Sequence, residues 1–152
     1  MGDFVGTHVN KRDGKGRVSI PASFRASLRM SPADETVQLF VRASHRHNGI
    51  EAWPVAEFDK LAAPLALLDK FSDDYEDLSA SLYGGSFSID SDREGRIVLP
   101  ESLVRHAGLS ETVVFMGLGR MFQIWEPLEA ERRREEARAR ARAIGQRPRG
   151  EP

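Results

Sequence analysis

Two short clusters hold the residues best suited to chemistry with a charged partner. Asp13-Gly14-Lys15-Gly16-Arg17 and Asp92-Arg93-Glu94-Gly95-Arg96 each place a carboxylate four residues before a guanidinium, with a glycine directly ahead of the arginine. Lys11, Arg12, Lys15 and Arg17 gather around the first cluster. The second has Arg93 and Arg96, with Glu94 where the first has Lys15. An arginine fork can hold a phosphate or the O6/N7 edge of guanine through two parallel hydrogen bonds. Basic groups on a projecting two-stranded ribbon can reach phosphates, and such a ribbon fits a major groove. Asp13 and Asp92 are expected to accept turn N–H groups and orient the arginines, while Gly16 and Gly95 supply a positive φ. The other reading is a pair of solvated turns closed by Asp–Arg ion pairs. Exposed pairs contribute only about 0–1 kcal/mol, a weak reason to carry the arrangement twice. The residues alone leave both readings open.

Other candidates carry less. His45-Arg46-His47 offers two imidazoles in a polar loop without a third ligand nearby, and His8 and His106 have no catalytic companions. No serine sits in a glycine-flanked elbow. Asp73, Asp74, Glu76 and Asp77 fit no calcium loop and read as the solvated start of a helix. Trp53, Phe122 and Trp125 alternate on strands and read as core or subunit interface. No catalytic residue, metal ligand, cofactor or small-molecule substrate is assigned.

The elements that must position the two clusters come as a repeat. At a constant offset of 79, Asp13, Gly16, Arg17, Pro21 and Ser23 meet Asp92, Gly95, Arg96, Pro100 and Ser102. Val18, Ile20 and Phe24 meet Ile97, Leu99 and Leu103. Ile50-Glu51-Ala52-Trp53-Pro54 is answered by Phe122-Gln123-Ile124-Trp125-Glu126-Pro127. Each unit reads as a strand, the Asp-x-x-Gly-Arg hairpin turn, a second strand, a short helix opened by proline, and a further strand pair. The last pair is 37–41 with 50–53, then 113–116 with 121–125 around Gly117-Leu118-Gly119-Arg120. The order per unit is ββαββ, an α+β class with mainly β content.

Between the units, Val55 to Leu68 follow a helical spacing interrupted at Pro64. Phe71 to Leu82 form a second helix behind Ser72. From Pro127 to Ile144 the chain is helix-prone, with a thin apolar stripe of Ala130, Ala137, Ala141 and Ile144, a stop at Gly145 and Pro148 beyond. The expected divisions are 1–54, 55–82, 83–127 and 128–152.

The 152 residues carry a formal net charge of -1, which by itself argues against nucleic acid. The distribution argues the other way. Residues 1–30 hold six Lys/Arg against two acids, residues 69–94 hold eight acids against two bases, and the tail from Leu128 holds eight arginines against five glutamates. A nearly neutral chain can thus present a basic face. There are no cysteines, no apolar run near the roughly 20 residues of a membrane span, and no leader pattern at Met1-Gly2-Asp3-Phe4, so a cytoplasmic protein is expected.

Phe4-Val5-Gly6 and Asp13-Gly14-Lys15-Gly16-Arg17-Val18-Ser19-Ile20-Pro21, followed by Phe24-Arg25, resemble the N-terminal signature of the MraZ family. Asp92-x-x-Gly95-Arg96-Ile97-x-Leu99-Pro100, Leu103, Ala107-Gly108-Leu109 and Phe122-Gln123-Ile124-Trp125 resemble its second half. The likeness spans residues 4–127. It implies an AbrB-like swapped-hairpin β-barrel formed as a pseudo-dimer of the two halves, and a ring-like homo-oligomer associated with the nucleoid. It also implies binding to G-rich direct repeats in double-stranded promoter DNA, with repression of the division and cell wall gene cluster and of the protein's own gene. Under that resemblance Asp13/Arg17 and Asp92/Arg96 belong to the DNA-contacting motifs, with Lys15 matching the family lysine. Acidic residues in 73–82, a long polar loop at Ser44–Asn48 and everything beyond Pro127 depart from the pattern. The alternative is a protein-interaction module of antitoxin type, in which the arginine-rich tail grips an acidic partner.

Overall fold

The computed structural model of the protein describes residues 3–146. The expected break at Pro148 and the last arginines of the tail lie outside the described residues, as do Met1 and Gly2. In chain order the elements are β1 (Thr7–Lys11), β2 (Arg17–Ser19), α1 (Ala22–Leu28), β3 (Gln38–Ala43), β4 (Ile50–Pro54), α2 (Val55–Ala62), a 3-10 turn (Ala63–Leu67) and α3 (Asp73–Leu82). Then follow β5 (Ser86–Asp90), β6 (Arg96–Val98), α4 (Glu101–Ala107), β7 (Thr112–Gly117), β8 (Phe122–Trp125) and α5 (Pro127–Gly145). The ββαββ order recurs in both halves.

Local chemistry explains the boundaries. Pro21 and Pro100, with ψ of 139° and 140°, stand just before α1 and α4, where a fixed φ and a missing N–H cost the helix nothing. Pro64 ends regular α-helix after Ala62 and leaves a 3-10 turn, because its ring cannot follow the preceding carbonyls. The Ser72 hydroxyl accepts from the Tyr75 N–H at 3.2 Å and starts α3, and Asp73, Asp74 and Glu76 occupy its first turn.

Six strands form one antiparallel sheet in the order β1-β7-β8-β4-β3-β5, and β2 pairs with β6 in a separate ribbon. Exchanging the two repeats reverses this order onto itself. The pseudo-twofold axis passes through the pair Val18↔Ile97, residues at the repeat offset from one another.

The expected local hairpins require a correction here. Each turn closes with its own rung, Asp13 N–H to the Arg17 carbonyl and Asp92 N–H to the Arg96 carbonyl, both 2.8 Å. Beyond that rung the arms part: β1 pairs with β7 and β5 with β3, each on the other repeat. The backbone groups are satisfied as fully by the neighbouring repeat as by a local partner. This is the swapped-hairpin arrangement, and it makes the halves share one core.

That core lies between the ribbon and one face of the sheet. Val18, Ile20, Ile97 and Leu99 of the ribbon segments meet Leu39, Val41, Ile50, Phe115, Phe122 and Ile124. Phe4, Phe24 and Phe122 form an aromatic triangle with centroids 5.0–5.3 Å apart. The opposite face is covered in two places. Ala130 of α5 packs on Val114, Met116 and Trp125, while Phe58, Leu65 and Leu82 from the α2–α3 segment pack against Phe40 and Trp53.

Candidate nucleic-acid interface

The ribbon is three residues long on each side, and its pairing fixes what it shows to solvent. Val18 and Ile97, directly opposite, point into the core. Arg17 opposite Val98 and Ser19 opposite Arg96 therefore share the outward face. Arg17 and Arg96 are diagonal neighbours on it, about 7–8 Å apart at the backbone.

Each arginine is held by the aspartate at the head of its turn. Asp13 Oδ1 accepts from the N–H groups of Lys15 and Arg17, both at 2.9 Å, and Oδ2 accepts from Arg17 Nε at 2.7 Å. Asp92 repeats this with the N–H groups of Glu94 (3.0 Å) and Arg96 (2.8 Å) and with Arg96 Nε (2.8 Å). Both carboxyls are held below the ordinary 3.8: the arginine backbone N–H is the largest cause, burial opposes it next, and the arginine side-chain bond and charge add to the lowering. Each aspartate takes only Nε, which leaves the terminal nitrogens, the edge that binds a phosphate or guanine, unclaimed by the turn aspartate. The side chains are 32% and 31% exposed, so the two arginines are equally available and differ only in their neighbours.

The remaining expected residues divide. Lys11 and Lys15 are exposed beside the first turn. Arg12 is half-buried; one terminal nitrogen donates to the Ser110 carbonyl at 2.9 Å, and its Nε is buried without a partner among the described residues. It ties β1 to the start of β7 rather than lining the ribbon. Arg93 is exposed and pairs with Glu35 at 3.3 Å. Arg96 additionally has Glu94 at 3.6 Å. Gly16 and Gly95 adopt φ of +78° and +81°, the left-handed conformation expected of them.

Sequence reasoning missed Arg25. From α1 it reaches across the repeat boundary and donates to the Glu94 carbonyl at 2.8 Å, bracing the second turn. Its position opposite Val104 at the repeat offset, a charge against an apolar residue, was the available signal. The histidines serve the framework. His8 meets Phe24 edge-on, His45 contacts Arg42, and His47 lies against Trp125 while its carbonyl meets the His106 ring. Burial lowers the His47 pKa below 6.5, helped by Arg133, Arg46 and Arg140 and opposed by Glu136.

A duplicated ββαββ chain with exchanged arms and two Asp-locked arginines on a shared ribbon belongs to the swapped-hairpin class of α+β proteins. The profile described as "MraZ protein, putative antitoxin-like" matches residues 4–79 and again 82–147, one match per repeat. A protein of Gluconacetobacter diazotrophicus is 54% identical over 95% of this chain and 91% of its own length. One of Gluconobacter oxydans is 54% identical over 95% and 88%. One of Azorhizobium caulinodans is 38% identical over 95% and 90%. All three are named transcriptional regulator MraZ. The chain belongs to the MraZ family.

Proposed function

We propose that the protein is a transcriptional regulator that binds double-stranded promoter DNA through the β2–β6 ribbon. The observation that carries this reading is the pair of guanidinium groups on one outward face, each fixed through Nε by the aspartate of its own turn. A two-stranded ribbon fits the roughly 12 Å major groove. A spacing of about 7–8 Å corresponds to about two base-pair steps of 3.4 Å, so both arginines reach bases of one short box. Lys11 and Lys15 supply phosphate contacts that position the ribbon.

One ribbon makes few contacts and binds weakly. A ring-like homo-oligomer presenting ribbons to successive G-rich direct repeats raises avidity by roughly 10²–10⁴. Occupancy at a promoter blocks polymerase, which makes the protein a repressor of its own gene and of the division and cell wall cluster, acting in the cytoplasm at the nucleoid. The names of its relatives support a role in transcriptional regulation, and the target is what the family resemblance implies.

The test is an anisotropy titration against DNA from upstream of the protein's own gene, at two salt concentrations, with a scrambled duplex as control. Selective binding that weakens with salt and disappears in the Arg17→Ala/Arg96→Ala variant is expected. Unchanged affinity in that variant, at unchanged fold and assembly, overturns the reading. A stoichiometric protein bound to the Arg-rich tail would instead indicate an antitoxin-type module.

A further inference from the structure

We propose that the outer half of α5 is a docking helix that seats in the α2–α3 groove of a second copy of this chain. The inference rests on the homo-oligomer proposed above and names the contact that builds it.

On α5, Ala130 is buried against the sheet, but every residue from Arg134 to Gln146 is exposed. The apolar stripe that begins at Ala130 continues uncovered through Ala137, Ala141 and Ile144, spaced i, i+4 and i+7 as in helix-in-groove recognition. Arg140 flanks it on one side and Arg134 and Arg138 on the other. None of these three arginines has an ion-pair partner among the described residues.

A matching receptor lies elsewhere on the molecule. The groove between α2 and α3 is lined by Leu61, Pro64, Leu65, Leu78 and Leu82, with Ser81 and Arg42 at its margin. Arg42 is neutralised by Glu51 at 3.7 Å. Asp74 and Asp77 stand one turn before Leu78 and Ser81, so they extend the groove wall with negative charge. They too are exposed and unpaired among the described residues.

Position selects the occupant. The α5 helix and the groove cover the same face of the sheet, α5 over β7 and β8 and the groove toward β3 and β4. A helix leaving one side of that layer and a groove at the other form a head-to-tail contact, which repeats around a ring when the rotation closes. Nucleic acid fits poorly, because the ribbon lies on the opposite face and the groove is apolar with the Asp74 and Asp77 carboxylates beside it.

The chain has no cysteine, which makes a directed cross-link clean. Full-length Ile144→Cys and Leu78→Cys chains are mixed and oxidised, and the products are read by non-reducing gel and peptide mass spectrometry. A mixed disulfide that joins position 144 of one copy to position 78 of another is expected. Independently, reversing Arg134, Arg138 and Arg140 to Glu should lower the light-scattering mass by about twofold or more, and adding Asp74→Arg and Asp77→Arg should restore it. A wild-type chain that is monomeric defeats both the oligomer and this contact. An oligomer with no mixed disulfide and no response to reversal defeats the contact alone. Reversal that leaves the mass intact but weakens DNA binding about tenfold assigns α5 to nucleic acid and overturns the proposal.

Discussion

Asp13 and Asp92 grip their turns through the same three hydrogen bonds, at distances within about 0.1 Å of one another. What surrounds the two turns is different. The first contains two glycines and Lys15, and among the described residues no side chain from another element donates a hydrogen bond to its tip. The second is held by Arg25 at the Glu94 carbonyl, tied to Glu35 through Arg93, and carries Glu94 beside its own arginine. The position matching Arg25 in the other repeat is Val104, half-buried against the core. Duplication thus preserved the lock on the arginine while charge and stiffness diverged. The first turn is positive and adaptable; the second is nearly neutral and rigid.

The largest effect expected from this contrast is on stability. A side chain at Gly16 meets only Arg12 at an ordinary 3.6 Å, so Gly16→Ala costs about 1–2 kcal/mol, the strain of the left-handed conformation. At Gly95 the added Cβ collides with the Arg25 guanidinium. Gly95→Ala should therefore cost the same strain plus the lost charged hydrogen bond, about 3–4 kcal/mol together. Urea unfolding measures both, and in an Arg25→Ala background the gap between the two glycines should close. A gap that persists there would locate the difference somewhere other than the Arg25 brace.

Next in size is DNA affinity. A bidentate arginine–guanine pair carries about 1–3 kcal/mol of discrimination. Arg17, with no acid competing for its outer edge, belongs near the top of that range, and Arg96, shared with Glu94, near the bottom. Arg17→Ala should weaken operator binding roughly 100-fold and Arg96→Ala roughly 10-fold. Equal losses would mean that Glu94 swings away on binding and that the contrast between the turns vanishes in the complex.

Much of this was legible in the chain. The repeat, the ββαββ order, the proline-opened helices, the Ser72 cap and the break at Pro64 all follow from short-range chemistry and appear where the residues place them. The lock between Asp13 and Arg17 was equally local. The β3–β4 and β7–β8 pairs were legible as well, and the exchanged arms were legible only through the family resemblance; the residues alone did not mark that exchange. Val18 faces Ile97 rather than a residue of its own hairpin, and two near-copies carry no sequence mark for which copy an arm will join. Arg25 was illegible for the same reason: it acts across 69 residues, on a backbone carbonyl that any residue type provides. Arg12 counted as part of the basic cluster, and only the approach of Ser110 reveals that it is turned inward.

A smaller effect should come from exchanging the charges that distinguish the turns. Glu94→Lys adds a cation to the second turn and releases Arg96, so the slope of log affinity against log salt should steepen by about 1. Lys15→Glu should flatten it by about the same amount. Titrations across four salt concentrations are enough to measure either change. If Glu94→Lys leaves the slope unaltered, the second turn does not approach the phosphates.

The smallest expected effect tests where the turns should remain alike. Both aspartates are lowered from 3.8 by the same first cause, the backbone N–H of the following arginine. A carboxyl whose folded pKa is depressed stabilises the fold fully above its unfolded value and loses that contribution as pH falls through the folded one. Both locks should therefore hold unchanged from neutral pH down to about 4 and open only below it. Carbon-detected NMR titration of the two carboxyls should give midpoints under 3.8 for each. Because most of the lowering comes from backbone donors, Arg17→Ala should raise the Asp13 midpoint only part of the way and leave Asp92 where it was. Full return of Asp13 to 3.8 in that variant would show that the guanidinium, and not the turn backbone, keeps the carboxylate charged. The arginine would then be organising the turn instead of being organised by it.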